Sequence, residues 1–162
     1  MIPARVLHPI PPLYDERARV LILGSFPSVA SRAAAFFYGH PQNRFWRVLA
    51  AIYGFPTPET VAEKTAFLHQ NGIALWDVIA SCRIIGSADS SITEVQANDL
   101  RPLLAASPIE RIFVNGKTAQ KYYNRYILPE LGIPAVCLPS TSPANAAYSL
   151  DRLIEAWRVI TE

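Results

Sequence analysis

Apolar residues follow two alternating rhythms along the chain. Arg19-Val20-Leu21-Ile22-Leu23 is apolar at every position between a charged residue and Gly24. A run without polar alternation predicts a strand covered on both faces, as in a buried parallel sheet. Ile73-Ala74-Leu75-Trp76, Arg111-Ile112-Phe113-Val114 and Ala135-Val136-Cys137-Leu138 repeat that pattern. Between them the spacing changes to three and four. Phe45, Val48, Leu49 and Ile52 step that way, as do Ala119, Tyr122, Tyr123, Tyr126 and Ile127. Leu150, Leu153, Ile154, Trp157 and Ile160 do the same, with Ser149 and Asp151 placed to cap the helix start. Residues 58–69 and 98–106 are two further helical candidates. Strands alternating with helices predict an α/β fold, a three-layer α/β/α sandwich around a central, mostly parallel four-stranded sheet. With 162 residues and no repeat, low-complexity tract or linker, the whole chain reads as a single domain.

Composition narrows the class. Hydrophobic residues make up 51% and charged residues 17%, which excludes a disordered chain. No apolar run approaches the roughly 20 residues that span a bilayer, and Met1-Ile2-Pro3-Ala4-Arg5 lacks the charged start and apolar stretch of a signal peptide. Two cysteines, Cys82 and Cys137, cannot build a disulfide framework or a four-thiolate cluster. The expectation is a cytoplasmic protein without metal or cofactor and without membrane attachment. A net charge of +2 excludes a strongly basic nucleic-acid coat but suits an enzyme that touches a few phosphates. Fourteen prolines against seven glycines point to stiff, shaped loops.

In parallel sheets, ligands bind beyond the carboxyl ends of the strands, so the residues that follow each strand carry the candidate chemistry. Gly24-Ser25-Phe26-Pro27-Ser28 turns sharply at Gly24, and free N–H groups at Ser25 and Phe26 could hold an oxygen acceptor. No Gly-Lys-Ser/Thr follows, so this is not a phosphate loop of the Walker type. The segment Phe36-Phe37-Tyr38-Gly39-His40-Pro41-Gln42-Asn43-Arg44-Phe45-Trp46 sets aromatics beside His, Pro and two amides just before a helix. Tyr38 there can stack on a flat ring. Asn43 can cap the helix, bond a base edge or hold a water, and Phe45 and Trp46 read as core. Asp77 closes its strand, either satisfied locally or accepting a donor from a ligand. Asn115 before Gly116 reads as a turn or cap, and Lys117 as a phosphate contact or a solvated helix start. Leu138-Pro139-Ser140-Thr141-Ser142-Pro143-Ala144-Asn145 packs three hydroxyls between prolines, a rigid loop suited to phosphates.

In order, these segments resemble the uracil-DNA glycosylase superfamily across most of the chain. Gly24-Ser25-Phe26-Pro27-Ser28 is similar to its first active-site motif and Pro139-Ser140-Thr141-Ser142 to its second. His40-Pro41-Gln42-Asn43-Arg44-Phe45-Trp46 resembles the His-Pro-x-Asn-Arg-Phe-Trp stretch of the mismatch-specific uracil/thymine branch. The nearest wording is that of the hypoxanthine-DNA glycosylases, family six. Most of the superfamily carries Asp or Asn where Phe26 stands, and the uracil-specialised branch carries His where Leu138 stands. Its iron–sulfur branches need four cysteines.

The resemblance implies a monofunctional glycosylase that acts on double-stranded DNA holding a deaminated or mismatched base and leaves an abasic site. Hypoxanthine is the first expected lesion and mismatched uracil the second. The catalytic amide carries over to Asn43 and the stacking ring to Tyr38. Ser25 and Phe26 would hold the base through their N–H groups, and Asp77 would accept its N1–H. Ser140, Thr141, Ser142, Pro143, Asn145 and Lys117 would face the DNA strand. No lysine stands out as a Schiff-base nucleophile, and a monomer is expected. Two other classes stay open at this point: a hydrolase of free nucleosides or nucleotides, and a non-catalytic binder of damaged bases.

Overall fold

The computed structural model describes residues 2–162. The strands in chain order are β1 (Ala4–Leu7), β2 (Val20–Gly24), β3 (Ile73–Asp77), β4 (Ile79–Ile84), β5 (Thr93–Ala97), β6 (Arg111–Asn115) and β7 (Val136–Leu138). The helices are α1 (Val29–Ala34), α2 (Phe45–Tyr53), α3 (Val61–Gln70), α4 (Arg101–Ala106), α5 (Lys117–Tyr122), α6 (Leu128–Leu131) and α7 (Leu150–Trp157). The predicted parallel sheet is present, in the order β3-β2-β6-β7. β2 lies in its middle, with Gly24 opposite Asp77 and Leu23 opposite both Trp76 and Val114.

Two cores lie on the two faces of this sheet. On one face Val20, Ile22, Leu75 and Phe113 pack against Phe45, Leu49, Leu153 and Trp157 of α2 and α7. On the other face Leu21, Leu23, Ile112 and Val114 pack against Leu103 of α4 and against Ala119 and Tyr122 of α5. Burial on both sides explains the unbroken apolar runs of β2 and β6. Helix starts follow local chemistry. Thr60 and Glu63 form a reciprocal capping box on α3, and Ser149 accepts the Arg152 N–H at the start of α7. The helix expected through Ile127 changes to a π-turn over Tyr123–Ile127. Pro129, just beyond, has no N–H to donate into it.

One element of architecture goes beyond the expectation. A second, antiparallel sheet has the order β1-β4-β5. The chain leaves β3, passes Val78 alone, and enters β4. There Ile79, Cys82 and Ile84 cover the second core together with Ile92. Pairing of β1 with β4 continues one residue past Leu7, since the His8 N–H donates to the Ala80 carbonyl at 2.8 Å. This delivers His8 to the carboxyl end of β3. The β4–β5 connection likewise reaches the end of β2, where Ser87 accepts the Val29 N–H at 2.9 Å.

Candidate active site

Side chains alternate along a strand, so Gly24, Asp77 and Asn115 fall two residues beyond Ile22, Leu75 and Phe113 on the face that carries α2 and α7. They form the last row of the sheet. Gly24, in its middle, has no side chain, and the space is taken from both sides. A Cβ there would lie 2.3 Å from Asp77 Oδ1 and 3.1 Å from Tyr38 Oη. A cavity of about 410 Å³ opens above this row. It is lined by Ser25, Phe26, Tyr38, Asn43, Asp77, Ser140, Thr141, Ser142 and Pro143 of the expected set, together with His40, Asn115 and residues 87–89. Asn145 and Lys117 do not line it. Lys117 is exposed at the start of α5. Among the described residues, no group of three or more His, Cys, Asp or Glu could hold a metal ion.

The amide of Asn43 has a fixed polarity. Its Oδ1 accepts the Phe45 N–H at 2.9 Å and the Thr141 hydroxyl at 2.9 Å. Thr141 in turn accepts from Asn115 Nδ2 at 3.0 Å, while its own N–H donates to Asn115 Oδ1 at 3.0 Å. A backbone N–H can only donate, so the two ends of this chain set every proton in it. The Phe45 N–H makes the near atom of Asn43 an oxygen. The Thr141 N–H does the same for Asn115, so the Thr141 hydroxyl proton can go only to Asn43. Both lone-pair sites of Asn43 Oδ1 are used, and its Nδ2 keeps two N–H donors without a partner among the described residues. Arg44, not Asn43, is the N-cap of α2; Asn43 stands one residue earlier, ties the first helical N–H, and still presents its Nδ2 donors to the cavity. Asn115, read from sequence as a turn or cap, is the far anchor of the same chain. Thr141 is fully buried within it, so its hydroxyl is an internal tie rather than a phosphate contact.

Arg44 holds the second motif in place. Its Nη1 donates to the Tyr148 carbonyl, and its Nη2 donates to the carbonyls of Ser142 and Asn145, both at 3.0 Å. Its backbone N–H donates to the Thr141 carbonyl at 3.1 Å. The loop is therefore pinned by a guanidinium as well as by its prolines. The Asn145 side chain also turns inward, donating to the Ser140 carbonyl at 3.0 Å. The hydroxyls of Ser140 and Ser142 each accept a backbone N–H, from Ser142 and Ala144 respectively. Their own protons remain as donors. Arg44→Lys is expected to keep the charge but lose the fork that reaches three carbonyls. It should destabilise the chain by about 2–3 kcal/mol, a charged hydrogen bond being worth about 1.5–3, and speed proteolysis within residues 140–148. Thermal unfolding and limited proteolysis check this.

The residues expected on the base side divide into a stack and a floor. The Tyr38 ring stacks on Phe45, with centroids 3.9 Å apart and planes 16° from parallel, so one of its faces is occupied. Its backbone takes a left-handed conformation, φ +50°. Its hydroxyl is buried and has no hydrogen-bond partner among the described residues. Burial, followed by the Asp77 carboxylate, pushes the phenol well above the ordinary tyrosine range, so it stays protonated. The Ser25 and Phe26 N–H groups make no hydrogen bond among the described residues, while the Phe26 side chain is core, edge-on to His8. Asp77 is satisfied by neither a turn nor an arginine. His8 Nε2 lies 2.7 Å from Asp77 Oδ2, a partner the sequence reading did not include.

The fold and the cavity define an α/β/α domain whose two signature loops meet at the open end of a parallel sheet. The chain belongs to the Uracil DNA glycosylase superfamily, whose family model matches residues 11–161. A curated protein named "Hypoxanthine DNA glycosylase" from Methanosarcina acetivorans is 36% identical over 152 residues, covering 93% of this chain and 94% of that one. A protein of the same name from Methanosarcina barkeri is 34% identical over 137 residues, covering 83% and 85%. The solution NMR structure of a candidate uracil DNA glycosylase from Methanosarcina acetivorans superposes with a TM-score of 0.80 at 34% identity. It covers 99% of this chain and 97% of its own. The expected family, its fold and its DNA glycosylase class are therefore borne out. Among the described residues no helix is long and apolar enough to cross a membrane.

Proposed function

We propose that this chain hydrolyses the N-glycosidic bond of hypoxanthine in double-stranded DNA, as a cytoplasmic monomer, and leaves an abasic site. The observation that carries this reading is the meeting of both signature loops around one cavity, with the Asn43 amide locked so that it offers only N–H groups. The names of the two relatives support hypoxanthine over mismatched uracil as the lesion.

The base must leave the stack to reach such a cavity, at a cost of a few kcal/mol that is lower at a mispair. Ser140 and Ser142 donate to flanking phosphates, Pro143 at the exposed tip presses on the strand, and Lys117 adds a more distant phosphate contact. Asn145 supports this loop from within. The part of Tyr38 that lines the cavity stacks on the base, worth about 1–3 kcal/mol. The N–H groups of Ser25 and Phe26 take an oxygen acceptor of the base and stabilise the negative charge it gains as the C–N bond breaks. Asp77 accepts the N1–H. The sugar acquires oxocarbenium character. A water held through its lone pair by Asn43 Nδ2–H adds to C1′ and loses a proton to solvent. No base stronger than water is needed against a formed cation.

The test uses duplex oligonucleotides with one hypoxanthine or one uracil, treated with enzyme and then with alkali. Strand scission at hypoxanthine is expected. Binding without scission would make the chain a sensor of damaged bases, and release of hypoxanthine only from free deoxyinosine would make it a nucleoside hydrolase.

A further inference from the structure

The pairing of His8 with Asp77 does more than fill the end of the sheet. Both side chains are almost wholly buried, with 3% and 6% of their surfaces exposed. His8 Nδ1 accepts the Ile10 N–H at 3.2 Å. That N–H can only donate, so the ring proton sits on Nε2 and points at Asp77 Oδ2, 2.7 Å away. The backbone of residues 8–10 thus settles the tautomer, and the Nε2–H that it leaves engages Asp77 Oδ2. Oδ1 is left over the Gly24 Cα, at the floor of the cavity. Tyr38 Oη lies beside it but makes no hydrogen bond. The floor therefore presents an acceptor to which no side chain or backbone N–H among the described residues donates, open to a donor that enters the cavity.

We infer that His8 is a positioning residue that makes Asp77 an acceptor-only reader of the N–H group that deamination creates. This rests on the proposed cleavage of a deaminated base. Deamination of adenine turns N1 from a lone pair into N1–H beside a new carbonyl, and deamination of cytosine does the same at N3. An acceptor at the floor is satisfied by either product. Against the parent base, lone pair faces lone pair and the carboxylate stays unpaired. Sites built to bond a substrate N–H reject analogues that lack it by about 10⁴–10⁵. The device separates adenine and cytosine from their deaminated products and does not sense guanine, which carries the same N1–H. The two residues come from the two different sheets, which gives the antiparallel sheet a part in selecting the substrate.

The experiment measures single-turnover cleavage by the full chain on duplexes with one hypoxanthine, one 1-methylhypoxanthine or one unsubstituted purine. The second replaces N–H by N–CH₃, and the third offers a bare N1 without added bulk. Wild type is expected to prefer hypoxanthine over both by at least about 100-fold. His8→Ala should cut that preference at least tenfold. His8→Gln, whose amide N–H can reach the same oxygen, should restore most of it. A purely structural His8 would lower all rates in proportion, so an unchanged preference in His8→Ala overturns the inference. If His8→Ala does not fold, wild type alone decides: equal cleavage of hypoxanthine and purine overturns it. Failure of wild type to cleave hypoxanthine at all would overturn the proposed function instead, and the inference with it.

Discussion

Asn43→Ala is expected to lower hypoxanthine excision by about 10²–10³-fold, the loss seen when one preorganised donor is removed from a reacting centre, with binding to lesion duplex within a few-fold of wild type. The bond to the first N–H of α2 is lost too, at about 0.5–1.5 kcal/mol, so the protein stays folded at assay temperature. Asn43→Asp is the sharper variant. A carboxylate can still accept from Phe45 N–H and from the Thr141 hydroxyl, so the bond to the helix start and the tie to the second motif survive. What disappears is the pair of N–H donors. If Asn43 acts as a donor, Asp should be as slow as Ala while unfolding at the wild-type temperature. If Asn43 acts by accepting a proton, Asp should equal or exceed wild type. Single-turnover rates beside melting temperatures separate the two, and a fast Asn43→Asp would refute the donor role given to the Asn43 amide.

How much of this was legible before the structure depends on where each signal resides. The four parallel strands and the helices α2 and α7 declare themselves because burial on fixed faces imposes a period on the sequence itself. The antiparallel sheet does not. β1 and β5 are short and half-exposed, with burial patterns that leave only Val6, Val95 and Ala97 part-covered. Their strand character comes from pairing with β4, which is a tertiary fact. α1 has six residues and no apolar stripe, and its start is set by Ser28 accepting the Ser31 N–H. The site shows the same division. Asn43, Ser140 and Ser142 sit just past a strand end or just before a helix, where position in the topology already implies exposure to a ligand, and Tyr38 stood out as an aromatic in the loop that leads to α2. His8 precedes Pro9 in a segment with no periodicity, and only the crossing of two sheets brings it to Asp77. Asn115 looked like a turn residue because its partner, Thr141, lies 26 residues away. For Asn145 and Lys117 the loop and the helix were located correctly. Which way each side chain turns is decided by neighbours that no local pattern reveals.

Gly24→Ala is expected to abolish measurable excision, a loss of at least about 100-fold, and to lower stability by about 2–6 kcal/mol. The sum comes from overpacking at about 1–3 kcal/mol and from a strained buried hydrogen bond at about 1–3. At roughly 2–4 °C per kcal/mol for a chain of this size, the melting temperature falls by about 4–24 °C. The added methyl would meet Asp77 Oδ1 at 2.3 Å, far inside contact distance. Relief by moving the backbone is costly, since β2 is paired on both sides by β3 and β6. Relief by moving Asp77 breaks its bond to His8. Tyr38 Oη, 3.1 Å from the same point, blocks a third route. A double-mutant cycle identifies the cause. If the clash with Asp77 is the origin, Gly24→Ala in an Asp77→Ala background should cost under about 1 kcal/mol, because the intruding oxygen is gone. Strictly additive effects would mean that the end of β2 is intolerant of any side chain for reasons of its own, and that the Gly24–Asp77 contact does not shape the floor of the cavity.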